Sequence, residues 1–112
     1  LFFIPILGDN QVFAQANKTN SGDVICPASG TSIQVAPIRS SRFSYIINNI
    51  SGGSIRVGYL DTGTALLDGT NSWVLQAGQA TADSAPGVLS NRIVCMSTSA
   101  STATITFNET FR

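Results

Sequence analysis

Apolar and polar residues alternate over short stretches along most of this chain, and turn-forming residues separate the stretches. In "RFSYIINN", Phe43, Tyr45 and Ile47 fall on one face, with Ser44, Ile46 and Asn48 on the other. "SIRVGY" places Ile55, Val57 and Tyr59 together and Arg56 opposite, and "TATITF" sets Ala103, Ile105 and Phe107 against three threonines. A period of two is the mark of a half-buried strand. "DVIC", "TSIQV" and "NSWVL" are shorter runs of the same kind, and the last carries Trp73 and Leu75. "RIVCM" is apolar on both faces after Arg92, as a strand packed on both sides would be. No window holds a helical stripe, although "TALLDG" has room for a single helical turn. Six to eight strands with turn signals every 8–12 residues predict an all-β fold, a single antiparallel β-sandwich or small β-barrel. Between the third and fourth alternating runs lies Asn49–Ser54. The expectation there is a hairpin loop, with Gly52 and Gly53 taking the positive φ of a tight turn.

The first residues break the pattern. "LFFIPILGDNQVFAQA" opens with an apolar run interrupted only by Pro5, and Ala14-Gln15-Ala16 is similar to a signal-peptide cleavage site. The run is too short to span a membrane as a helix. Three readings are open: a retained signal remnant, an arm that packs on a neighbouring subunit, or a first strand of the domain. An uncovered "LFFIPIL" would aggregate, so its retention implies an assembly. The expected organisation is an apolar arm and polar link over 1–22 and a β-sandwich domain over 23–112.

Composition narrows the function. The chain has 112 residues, enough for one domain, and 11% of them are charged against about 25% in an average protein. Its six basic and six acidic residues cancel, and only Arg39 and Arg42 lie close together, which excludes a phosphate-binding stripe and hence nucleic acid. Without histidine, neither a Ser-His-Asp nor a Cys-His pair can be built. Cys26 and Cys95 are too few for a zinc site. They are either one disulfide joining an early and a late strand or two buried thiols, and the reduced form is slightly preferred.

One motif suggests catalysis. "YLDTGT" contains Asp61-Thr62-Gly63, similar to the active-site loop of aspartic proteases, in which a dimer would pair two copies of the carboxylate. The second signature of that family is missing, and Asp-Thr-Gly is ordinary turn chemistry. Asp61 and Asp68 do not have the spacing of a calcium loop. Trp73 within "SWVL" reads as core. Asn17, Asn49 and Asn108 open N-glycosylation triplets of the kind chance produces.

From Thr31 onward the order of features resembles small all-β modules of tailed-bacteriophage structural proteins: decoration proteins, head fibres and tail-associated pieces. The segments that carry the likeness are "TSIQVAPIRSSRFSYIINNISGGSIRVGY", "TGTALLDGTNSWVL" and "GVLSNRIVCMSTSASTATITFNE". Arg42, Ile46, Asn48, Ile55, Val57, Gly58, Leu66, Gly69, Ile93 and Ile105 fall in the order of those modules. The resemblance implies a non-enzymatic structural protein of a virion surface that acts through subunit contacts and needs no cofactor or metal. Its expected partners are copies of itself and a major capsid or other structural protein, without nucleic acid or a membrane span. The arm residues Leu1, Phe2, Phe3, Ile4, Ile6 and Leu7 would make the subunit contacts. The alternative is a secreted bacterial surface or filament subunit that exchanges its N-terminal strand, and the lesser alternative is the dimeric protease through Asp61.

Overall fold

In a computed structural model, the described residues are 18–61, 67–84, 88 and 90–112. They form β1 (Lys18–Cys26), β2 (Ile33–Ala36), β3 (Arg42–Asn49), β4 (Ile55–Tyr59), β5 (Ser72–Leu75), β6 (Ala80–Ser84), β7 (Ile93–Ser97) and β8 (Ala103–Phe111). The strands make two antiparallel sheets, a front sheet ordered β1-β8-β3-β6 and a back sheet ordered β2-β7-β4-β5. Apart from β4 and β5, which are neighbours in one sheet, successive strands switch between the two four-stranded layers, the jelly-roll form of the β-sandwich.

The alternating runs place the core. Ile47, Ile105 and Phe107 of the front sheet face Ile55, Val57, Ile93 and Leu75 of the back sheet in one buried cluster. All five residues of β7 are buried, because the strand lies between β2 and β4 and both of its faces are covered. On the inner face it meets the core. On the outer face Val94 and Met96 pack under Leu67 and Leu60 of the β4–β5 connection. Gly58 makes that cover possible: a Cβ there would lie 2.8 Å from the Asn71 carbonyl oxygen and 2.8 Å from Leu67 Cδ2.

Four details differ from the expectation. The segment from Asn49 to Ser54 is not a hairpin loop, because β3 pairs with β6 and β8 while β4 pairs with β5 and β7. It is a corner that carries the chain from one sheet to the other. Gly52 and Gly53 lie outside the positive-φ region. The corner is held instead by Asn49, whose side-chain amide donates to the Gly53 and Leu75 carbonyls and whose Oδ1 accepts from Ser51.

Lys18–Gly22, expected as a polar link, is the first half of β1, paired with β8 from Lys18↔Phe111 onward. Phe43 is only half-buried and Arg42 takes the inward position, since a bulge between Arg42 and Ser44 shifts the alternation by one residue. Finally, β6 reads "ATADS" and presents no large apolar residue. It is an edge strand that the hydrophobic pattern does not announce.

Candidate functional surface

The space between the sheets is fully committed to holding the fold. At one end Cys26 of β1 and Cys95 of β7 are joined in a disulfide across the two sheets, with Cα atoms 5.4 Å apart. Burial of both cysteines agrees with their apolar surroundings, but the reduced-thiol preference is overturned. Their strands bring the sulfurs face to face across the core, a proximity that positions 69 residues apart do not reveal. Toward the other end, the Tyr45 and Tyr59 hydroxyls bond to each other, and Tyr59 packs on Trp73 with ring centroids 4.9 Å apart. Trp73 is therefore a core flank, as expected. Burial pushes both phenols upward, Tyr59 further because it also bonds to Tyr45.

At the other end lies an ionic cluster. Glu109 is fully buried. Its Oε2 accepts from Arg42 Nε at 2.8 Å, and its Oε1 accepts from Arg39 Nε at 2.8 Å and from Asn20 Nδ2 at 3.2 Å. Arg42 also donates to the Asn91 and Pro37 carbonyls, which ties the cluster to the back sheet and to the β2–β3 connection. The Arg39 guanidinium stacks over Phe111 at 3.7 Å. The alternation of β8 places Glu109 on the same inward face as Ala103, Ile105 and Phe107, so its burial follows from register. Among the described residues, every buried side-chain nitrogen and oxygen has a partner. None of the described Cys, Asp and Glu side chains gather in the threes that could hold a metal ion.

The remaining candidates are exposed. Asp61 accepts two bonds from Asn91 Nδ2 and one from the Arg92 backbone N–H, so it anchors the start of β7. Thr62 and Gly63 lie outside the described residues. Asp68 caps its own turn: the Thr70 hydroxyl and backbone N–H both donate to it and hold its carboxyl below the usual range. Asp61 and Asp68 thus serve separate local networks. Asn49 is buried and its amide engaged, so it is unsuited to carry a glycan. The arm residues Leu1, Phe2, Phe3, Ile4, Ile6 and Leu7 lie outside the described residues.

The two outer faces differ. On the back sheet Leu60 and Leu67 of the β4–β5 connection cover Val94 and Met96, while Val74 of β5 stays exposed. On the front sheet the strand register sets out rungs of small side chains, Thr19–Thr110–Ser44–Ser84, Ser21–Asn108–Ile46–Ala82 and Asp23–Thr106–Asn48–Ala80. Asp23 is the one charged residue among these twelve. Where the small residues of β6 adjoin β3, an open depression of about 360 Å³ is lined by Ser44, Tyr45, Ile46, Ala82, Asp83, Ser84 and Asn108. Ile46 is 39% exposed there. Hydrophobic pattern alone does not find this surface, because its signal is the absence of bulk on β6 beside one outward isoleucine on β3.

No family profile and no curated protein matches the sequence. Solved structures do match in fold. A cupin domain of a transcriptional regulator from Enterobacter cloacae overlays with a TM-score of 0.56 at 10% identity, over 85% of this chain and 83% of that one. The cupin domain of Schizosaccharomyces pombe Cnp3 gives 0.53 at 11% identity over 84% of this chain, which spans 56% of the length of that protein. A de novo designed double-stranded β-helix gives 0.51 at 12% identity, over 80% and 97% of the two chains. The chain thus has a cupin-like double-stranded β-helix fold. The stem and receptor-binding domain of spike protein P1 from bacteriophage PM2 and a Bacillus endospore appendage are also similar, but at TM-scores of 0.48 and 0.45 neither bears on function.

Proposed function

We propose that this protein is a non-enzymatic structural subunit that works through contacts between copies of itself and with a larger structural partner, at a virion surface. The observation that carries the reading is the saturated interior. A disulfide, a tyrosine pair and an Arg–Glu cluster span the space between the sheets, every buried side-chain nitrogen and oxygen among the described residues is partnered, and the depression beside Ile46 is on the outside. Such an interior supports rigidity rather than turnover. The disulfide favours an oxidising or extracellular setting, which suits a virion and equally a secreted bacterial surface subunit. Asp61 is already engaged by Asn91 and Arg92, which weighs against the protease alternative.

Contact in this reading runs through the arm residues Leu1, Phe2, Phe3, Ile4, Ile6 and Leu7. Deleting residues 1–16 removes none of the eight strands, since β1 begins at Lys18. Sedimentation velocity should show the full chain assembled and the truncated chain folded and monomeric. A truncated chain that assembles as the full one does would sink the arm reading. Acid-pH peptide cleavage that Asp61→Ala abolishes would replace it with the protease.

A further inference from the structure

We propose that the bare outer face of the front sheet, centred on Ile46, is the seat for the apolar segment Leu1–Leu7 of a neighbouring copy. The inference rests on the arm reading above and adds the surface that receives the arm. Among the described residues this face has no cover like the one that Leu60 and Leu67 place over Val94 and Met96 of the opposite sheet. Its side chains are short, and its charged groups, Asp23 on β1 and Asp83 on β6 beside the depression, sit on the two edge strands, so little ordering opposes a contact over the centre of the face. The depression is lined by apolar Ile46 and Ala82, by hydrogen-bonding groups from Ser44, Ser84 and Asn108, and by Asp83. A side chain such as Phe or Ile fits against Ile46 and Ala82, and the hydroxyls and amide can meet the backbone of an extended segment.

Magnitudes choose the occupant. The three rungs across four strands measure about 19 Å by 20 Å, or roughly 400 Å². That is about half of the ~800 Å² per partner of a standard interface, so rigid stacking of two such faces falls short. An added arm supplies the missing area. Reach is sufficient as well: 17 residues precede Lys18, an extended span of up to about 60 Å. Lys18 and Thr19 lie at the Phe111 end of the sheet, the same end as Ser44 and Ser84.

The test uses the full chain and reads assembly mass against concentration by sedimentation velocity, with circular dichroism as the check on folding. Ile46→Lys puts a charge in the depression, Phe2→Asp with Phe3→Asp puts charges on the arm, and Val74→Lys alters an exposed residue of the back sheet as control. Ala82→Lys stands in should Ile46→Lys fail to fold. The depression and arm variants should each raise the dissociation midpoint at least about ten-fold, and Val74→Lys should leave it in place. If the arm variant dissociates and both depression variants assemble as the parent, the seat lies elsewhere and only the arm reading survives. An arm variant that assembles normally overturns both, whatever the depression variants do. A parent chain that is monomeric throughout, as it would be with its own arm folded back, also overturns both.

Discussion

Replacing Glu109 by Gln tests the ionic cluster at nearly constant volume. The substitution removes the charge that neutralises Arg42, whose side chain, like that of Glu109, has no solvent exposure. Arg42 cannot turn to water, since Nη1 and Nη2 are held by the Asn91 and Pro37 carbonyls. Arg39 is 24% exposed on its side chain and can rehydrate, so most of the cost falls on Arg42. Removing one partner of a buried pair costs about 3–5 kcal/mol, a large share of the roughly 5–15 kcal/mol that holds a typical domain folded. The midpoint of thermal unfolding should fall by about 12–20 °C. Urea unfolding followed by Trp73 fluorescence and by circular dichroism measures the change directly. Arg39→Ala, which loses a part-buried pair and a stack on Phe111 but leaves Glu109 bonded to Arg42, should cost no more than about 2 kcal/mol. If Glu109→Gln costs less than about 1 kcal/mol, water reaches the cluster and the account of a sealed interior is wrong.

Reduction of Cys26–Cys95, which closes a loop of 69 residues, should lower stability by about 4 kcal/mol on the chain-entropy account; unfolding curves with and without a reductant in urea would read it. Gly58→Ala should destabilise by about 1–3 kcal/mol, because the added methyl meets the Asn71 carbonyl and Leu67, whereas Gly53→Ala in open space should change little. Tyr45 and Tyr59 have folded pKa values raised above the unfolded value of about 10. Their contribution is therefore complete below pH 10 and is lost as pH rises beyond it. Tyrosinate absorbance from this pair should appear together with unfolding, and early ionisation in a folded chain would refute the coupling.

The class of fold was legible because β3, β4, β7 and β8 carry period-two or fully apolar patterns that only a sheet can bury. Their partners were less visible. A sheet-to-sheet corner and a hairpin both place Asn, Ser and Gly between two alternating runs, so "IINNISGGSIRVGY" reads as either. The choice is made by long-range pairing of β3 with β8 and of β4 with β7. Arg42 was obscured by one bulge, while Glu109 could have been found by continuing the alternation of β8 four residues past Ile105. Pairing of Cys26 with Cys95 needed the crossing of β1 over β7, and β6 left no apolar signal at all. The Ile46 face was hidden for a related reason, since outward residues obey no burial rule and the cover over the opposite sheet comes from a connection.

Hydroxyl-radical footprinting of the assembled protein against its dissociated subunit asks most directly whether function resides in surface contact. The account predicts that oxidation of Leu1–Leu7 and Ile46 falls several-fold on assembly. Val74, 37% exposed on the back sheet, should react equally in both states. Equal reactivity of Ile46 and the arm in both states, or protection confined to Val74 and the back sheet, would contradict it.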